Sequence, residues 1–166
     1  MGLSGSHNTQ TRVERTSDRE LVVTRSFDAP VHIVFEAWTR PELFKRWWAP
    51  RSMGVPLRAC DMDVRTGGQY RIEFGQEGEP GWAFFGKYVD VVPNARIVWT
   101  NEEGEGEGAV TTVTFEEEAG GRTLLRMREL YPTKEELDEA FVGMEGGSPE
   151  QFDQLAELLA ELGAQA

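Results

Sequence analysis

FDAPVHIVFEAWTRPELFKRWWAP, residues 27–50, carries the densest pattern in the chain and reads as two short consecutive helices lying over a sheet. Val31, Val34, Phe35 and Trp38 fall at i, i+3, i+4 and i+7, one face of a 3.6-residue repeat, and such a face has to be buried. Asp28 is placed to cap the first helix with its carboxylate. Pro30 suits the first turn, where its missing N–H would have no intrahelical partner. Thr39 with Glu42 three positions on has the form of a capping box opening a second helix, with Pro41 near its start and Leu43, Phe44 and Trp47 as its apolar side. The run Trp47-Trp48-Ala49-Pro50 ends it, because a residue preceding proline is displaced from helical backbone geometry. Three tryptophans within eleven residues offer more aromatic surface than docking two short helices requires, each such ring burying roughly 150–250 Å². Core packing and the wall of an apolar cavity both account for them, and the sequence leaves the two open.

Outward from this stretch the chain alternates like a sheet. Glu20–Phe27 is β-branched and aromatic and reads as a first strand. After the helices, Gly54 and Pro56 mark a turn and Leu57–Val64 a second strand. Thr66-Gly67-Gly68 then reverses the chain into 69–74, where Tyr70, Ile72 and Phe74 point one way and Gln69, Arg71 and Glu73 the other. The loop 75–81 leads to a long strand, Trp82–Val92, interrupted by Gly86, which marks a bend, a bulge or a close approach by another group. Residues 96–101 form a short strand with Ile97 and Trp99 on one face. Strands at 109–116 and 122–130 pair around Ala119-Gly120-Gly121. In the last of these, Thr123, Leu125, Met127 and Glu129 share one face, so a carboxylate stands on a face that is otherwise apolar. It lies either at the sheet's rim in water or inside a cavity.

The C-terminal part is helical. Thr133 and Glu136 open one helix, with Leu137, Ala140, Phe141 and Met144 on a face, and Gly146-Gly147 breaks it. Ser148, Pro149 and Gln151 open the next, where Phe152, Leu155, Leu159 and Leu162 form a stripe while Asp153, Gln154, Glu157 and Glu161 face water. A helix this amphipathic needs a large apolar partner, and the sheet is the available one.

Composition narrows the function classes. The 166 residues fit one domain, 19–164, preceded by a polar lead-in at 1–18 that is expected to be disordered and does not read as a secretory signal. A net charge of −12 opposes nucleic-acid binding, and no run of apolar residues is long enough for a membrane span. The single cysteine, Cys60, excludes an internal disulfide and a cysteine-cluster metal site, which suits the cytoplasm. Arg40, Lys45, Arg46 and Arg51 form a basic cluster expected on the outer helix face, in water. The acidic stretch 102–108 lies between strands, not between helices as in an EF-hand, and is read as a hairpin loop, not a calcium site. No phosphate-binding or dinucleotide fingerprint is present, so no cofactor and no metal are expected.

The order of strand, two helices, about six to seven antiparallel strands and a long terminal helix is an α+β arrangement. Here the chain resembles the START-like (SRPBCC) superfamily, and within it the bacterial branch named for the activator of heat-shock-protein-ninety ATPase homologues (AHSA-like). The residues that carry the likeness are Phe27-Asp28-Ala29-Pro30, Phe35 and Trp38-Thr39; Leu43 with Trp47-Trp48-Ala49-Pro50; Asp63 to Gly68; Phe85-Gly86-Lys87-Tyr88; and Trp99-Thr100. The resemblance implies a helix-grip fold, a curved sheet wrapped around the terminal helix with a cavity between them. It departs from the pattern at Gly146-Gly147, where relatives often place a bulky residue.

Three functions follow as expectations. The first is binding of a small, largely apolar molecule, with Trp38, Trp47, Tyr70, Phe74, Trp99, Met127 and Phe152 as walls and Glu129 as the orienting polar group. The second, which the resemblance suggests, is a cyclase or dehydratase acting on an aromatic polyketide-like substrate in the same cavity. It finds little support in the residues, since His7 lies in the lead-in, His32 reads as a surface partner of Glu36, and Glu129 is the one serious acid–base candidate. The third is a co-chaperone-like protein contact, disfavoured because the relatives that give the family its name use a separate module for it. A homodimer through the aromatic helix pair is left open.

Overall fold

The computed structural model describes residues 10–102 and 108–164. Its strands are β1 (Arg12–Arg15), β2 (Glu20–Phe27), β3 (Leu57–Met62), β4 (Gln69–Phe74), β5 (Trp82–Val92), β6 (Arg96–Thr100), β7 (Val110–Glu118) and β8 (Arg122–Leu130). The helices are α1 (Val31–Thr39), α2 (Pro41–Phe44) and α3 (Lys134–Ala164). All strands pair antiparallel in one sheet of order β1-β2-β8-β7-β6-β5-β4-β3. The sheet therefore has eight strands, not six or seven. The additional one, β1, falls inside the stretch expected to be a disordered lead-in, where Val13 alternates with exposed charged residues and the strand lies along β2. His7, with the rest of residues 1–9, and the body of the acidic loop, 103–107, lie outside the described residues.

Alternation decides the faces of the sheet. In β4, Tyr70, Ile72 and Phe74 are buried while Gln69 and Arg71 are exposed. In β8, Thr123, Leu125 and Met127 are buried, alternating with the half-buried Arg122, Leu124 and Arg126 and the exposed Arg128. Register shifts between Leu57 and Ala59 in β3 and between Tyr88 and Asp90 in β5 mark bulges, which bend a strand and raise its twist. Gly86 owes its place to close approach: a Cβ there would lie 2.0 Å from the Thr100 carbonyl oxygen.

α3 packs chiefly on β1, β2 and α1, with Leu137, Phe152, Leu155, Leu158 and Leu159 in the same core as Leu21, Val23, Phe27 and Leu125. Arg25, on the inner face of β2, reaches Asp153 of α3 at 2.6 Å and lies over the Phe27 ring. Because α3 sits toward this end of the sheet, the inner faces of β4, β5 and β6 are left looking across a gap.

Several local expectations are corrected. Asp28 does not cap α1: Pro30 is the N-cap, its carbonyl accepting from the Ile33 and Val34 amides, and Asp28 sits two residues too early, its carboxylate 3.5 Å from Arg122. Thr39 belongs to the last turn of α1, where its hydroxyl donates to the Phe35 carbonyl at 3.0 Å. The N-cap of α2 is Arg40, whose guanidinium takes the Glu42 carboxylate that a capping box would have used. Thr133 does act as a cap, accepting from the Glu136 amide at 3.1 Å.

The largest correction is that Gly146-Gly147 does not divide the C-terminal part. α3 runs unbroken through both glycines and through Pro149. Glycine in a helix costs only about 1 kcal/mol relative to alanine, and Leu137 on one side and Phe152 and Leu155 on the other are anchored in one core, so packing outweighs local propensity. Gln154, expected in water, is only 4% exposed. Its amide nitrogen donates to the carbonyls of Trp47 (3.0 Å) and Ala49 (2.9 Å), and its oxygen accepts from the Arg51 amide at 2.8 Å. With Gln151 donating to the Trp48 carbonyl, α3 holds the aromatic segment by its backbone.

Candidate functional site

The gap is a cavity of about 700 Å³. Its sheet wall is Tyr70, Ile72, Phe74, Phe84, Tyr88 and Trp99; its roof is Trp38, Phe44, Trp48 and Pro50; its helical side is Gly143, Met144, Gly146, Gly147, Ser148 and Gln151. Three glycines stand on the helical side, Gly143 and Gly146 exposed and Gly147 half-buried. A Cβ built on Gly143, Gly146 or Gly147 meets nothing within 4 Å. Met53 and Trp82, both more than 40% exposed, stand where the lining meets solvent, Trp82 stacking on Phe74 at 5.5 Å between ring centroids.

Of the eight side chains expected around a ligand, Trp38, Tyr70, Phe74, Trp99 and Glu129 line this cavity. Trp47, Met127 and Phe152 do not: all three are at most 1% exposed and belong to the solid core. Trp47 is occupied structurally, its indole N–H donating to the Ala37 carbonyl at 2.9 Å. Met127 lies between Val23 and Val113, in the part of the sheet beside β2 on which α3 packs. Phe152 is wedged between Phe27 and Trp38. Trp38 belongs to both groups. Six aromatic rings surround it at 4.7–6.3 Å, and its own N–H is fully covered, with no acceptor among the described residues, so only its ring contributes to the wall.

Strand register explains where Glu129 lies. It pairs with Leu21 on one side and Thr111 on the other, and Thr111 in turn pairs with Trp99. Leu21 and Thr111 are fully buried, so this row crosses the inner face and brings the half-buried Glu129 carboxylate to the cavity instead of the outer rim. The Thr111 hydroxyl donates to it at 3.0 Å and the Tyr131 phenol at 2.6 Å. Asn101 extends the network, its amide nitrogen donating to Thr111 Oγ1 at 3.1 Å and to the Ala109 carbonyl at 2.9 Å. Tyr70 donates to the Thr100 carbonyl at 2.7 Å. Around Glu129 the cavity thus has a hydrogen-bonded polar end, while aromatic side chains dominate its sheet wall and roof.

Sequence reasoning missed Thr111, Tyr131, Asn101, Trp48 and Trp82. Thr111 carried a signal, since it shares the alternation of Val113 and Phe115; Tyr131, just past the end of β8, and Asn101, at the end of β6, carried none.

Among the described residues, the titratable groups in the lining are Glu129, Glu136 and tyrosines, with neither histidine nor cysteine among them. Burial pushes the Tyr88 phenol well above its ordinary range, which keeps it neutral. Cys60 is half-buried on β3 beside Met62, and burial, aided by Asp61, pushes its thiol up to about 11. His32 is exposed, and Glu36 bonds to Arg40 at 3.2 Å. The three arginines of the basic cluster are paired with carboxylates: Arg40 with Glu42, Arg46 with Glu161, Arg51 with Glu157. Among the described residues no group of three or more His, Cys, Asp or Glu is placed to hold a metal ion, and no helix is long and apolar enough to cross a membrane.

An eight-stranded antiparallel sheet, a long terminal helix and an aromatic cavity between them define a helix-grip domain of the START-like type. The family model described as "Activator of Hsp90 ATPase homolog 1-like protein" matches residues 28–160, and the chain belongs to this family. A crystal structure of a protein from Rhodobacter sphaeroides is similar at TM-score 0.83 and 24% identity, covering 92% of this chain and 99% of that one. A crystal structure from Mycobacterium smegmatis follows at TM-score 0.78 and 22% identity, with coverage of 92% and 99%. The solution structure of an AHSA1-like protein from Aeromonas hydrophila aligns at TM-score 0.67 and 19% identity, over 86% and 94% of the two chains. At these identities the likenesses speak to the fold. No curated protein matches the chain.

Proposed function

We propose that this protein binds a small, largely apolar molecule in the cavity between the sheet and α3, with the Glu129 end orienting the ligand's polar group. The observation that carries this reading is the cavity itself: about 700 Å³ of space under aromatic walls. Volumes of roughly 300–1,000 Å³ with apolar walls and a few convergent polar groups are the usual form of small-molecule sites. Gly147, half-buried in the lining with nothing within 4 Å of a Cβ built there, supports it, because a helix gains stability when such a position carries a side chain.

The test is an amide and indole NMR titration of isotopically labelled protein with fatty acids, sterols, flavonoids and polyketide-like aromatics. The reading expects saturable shifts on Tyr70, Phe84, Trp99, Trp48 and Gly143 to Gly147. If a well-folded sample shows no such shifts with any member of the panel, ligand binding is withdrawn.

A further inference from the structure

Two groups in the sheet wall carry information that the shape of the cavity does not, on the premise that it binds a ligand as proposed above. The row that places Glu129 runs on across the sheet: Glu129 pairs with Thr111, Thr111 with Trp99 and Trp99 with Tyr88. Neighbouring strands lie about 4.8 Å apart, so Trp99 and Tyr88 stand roughly 10 and 14 Å of sheet from Glu129, beside each other in the lining. Trp99 is 8% exposed and Tyr88 5%. Even so, the Trp99 indole N–H and the Tyr88 phenol O–H have no hydrogen-bond partner among the described residues. Other polar side chains of the lining are engaged: Tyr70 donates to the Thr100 carbonyl, Asn101 to the Ala109 carbonyl and Gln151 to that of Trp48. Arg25, Trp38 and Arg122 also hold polar atoms without a partner, but those atoms are sealed off completely. The Trp99 nitrogen and the Tyr88 oxygen are not sealed in this way. Since both side chains are more than nine-tenths buried on the inner face, the space that these atoms meet is the cavity.

A buried donor left without an acceptor costs stability, and two of them side by side at a cavity are matched by an acceptor that arrives with the ligand. The donors also decide what kind of acceptor it is. An indole N–H only donates. Burial, with Cys60 and Asp63 adding to it, holds the Tyr88 phenol well above its ordinary range, so at neutral pH it is an uncharged O–H. Neither group is positive, and the described lining holds no lysine or arginine. A carboxylate placed here would be buried without a cation, which is costly. A carbonyl oxygen is neutral and has two lone pairs, one for each donor.

We infer that Tyr88 and Trp99 together hold a neutral carbonyl oxygen of the ligand, in addition to the polar group at the Glu129 end. The ligand is then a ketone- or ester-bearing apolar molecule, not a hydrocarbon chain with a single polar head.

Benzophenone and diphenylmethane, nearly one shape with and without the carbonyl, test this in NMR titrations where cavity binding is read from Tyr70, Trp99 and Gly147. The expected result is that Tyr88→Phe weakens benzophenone about fivefold, the worth of one neutral hydrogen bond, and does not weaken diphenylmethane. The Trp99 indole proton should move downfield with benzophenone alone. The carbonyl carbon of bound, carbon-13-labelled benzophenone should lie downfield of its position in hexane, and Tyr88→Phe should move it back. Because the hydroxyl gives up no bond in the free protein, Tyr88→Phe should also keep Tm within about 2 °C of the parent. A clear fall in Tm would show that the hydroxyl already has a partner and would overturn the inference without any ligand. If Tyr88→Phe changes both affinities equally, or the bound carbonyl resonates as in hexane, the carbonyl inference is overturned and ligand binding stands. If neither probe shifts the cavity signals, both readings fall together.

Discussion

Replacing Gln154 by leucine keeps nearly the same volume and removes three hydrogen bonds, to the Trp47 and Ala49 carbonyls and from the Arg51 amide. The site is almost fully buried, so water reaches the abandoned groups poorly. A buried polar group left without its partner costs about 1–3 kcal/mol, an amide more than a carbonyl that keeps a second lone pair. Added leucine surface offsets part of this, which leaves a net loss of about 2–4 kcal/mol. For a domain of this length, each kcal/mol lowers Tm by roughly 2–4 °C, so the fall should be roughly 4–16 °C. Thermal unfolding followed by circular dichroism measures it, with Glu157→Gln as control, since its exposed pair with Arg51 should be worth under about 1 kcal/mol. The same variant should broaden the NMR signals of Trp48 and Met53, because the segment they occupy loses its attachment to α3. A Tm within a degree or two of the parent would refute the claim that α3 holds the roof through Gln154.

Gly147→Leu puts a side chain into space where a Cβ meets nothing; helix propensity alone should stabilise by about 0.5–1 kcal/mol, while affinity for any cavity ligand should drop at least about tenfold by loss of volume. A lower Tm, or unchanged binding in calorimetry, would contradict the placement of this glycine. Cys60, raised from 9.0 to about 11 by burial, should react with iodoacetamide at pH 8 roughly 100-fold more slowly in the native than in the urea-unfolded protein, since the thiolate is the nucleophile. Its contribution to stability is fully present below pH 9 and is lost as pH rises toward 11; native and unfolded rates within threefold would show the thiol is accessible. At the other end of the scale, Glu73 is held below its ordinary value by Arg58, Asp138 by Arg15 and then Lys134, and Glu150 by the Ser52 hydroxyl and amide. These depressed carboxylates add stability above their unfolded values, 4.5 for glutamate and 3.8 for aspartate, and lose it as pH falls through the lower folded values. Urea midpoints should therefore be level from pH 7 to about 5 and fall below about 4, and a midpoint that rises on acidification would reverse the assignment.

Much of the sheet was legible because period-two alternation is a local property. Tyr70, Ile72 and Phe74 declare a face without knowledge of the rest of the chain, and Trp82–Val92 and Arg122–Leu130 were bounded by turn residues. What alternation does not encode is distance to the opposite layer. Met127 and Trp99 both point inward, yet Met127 lies where α3 touches the sheet and Trp99 where it does not, so one is core and the other wall. The same limit misplaced Phe152, whose neighbour across the core is Phe27, and Trp47, whose N–H is used by Ala37. The capping signals at Asp28 and Thr39 failed for a different reason. Several local partners compete for each such group, and Arg122 and the Phe35 carbonyl took them. Gly146-Gly147 misled because glycine weakens a helix by an amount that tertiary packing on both sides readily exceeds. Gln154 was unreadable, since its partners are backbone groups about a hundred residues earlier in the chain.

The central claim, that the space between sheet and α3 is a ligand site, is tested most directly by a crystal structure with the tightest binder from the NMR panel. The account predicts density for one molecule between Phe84, Trp99 and the Gly143–Gly147 backbone, with its polar group toward Glu129. Density confined to the outer face of the sheet, or an unoccupied cavity at saturating ligand, would contradict it.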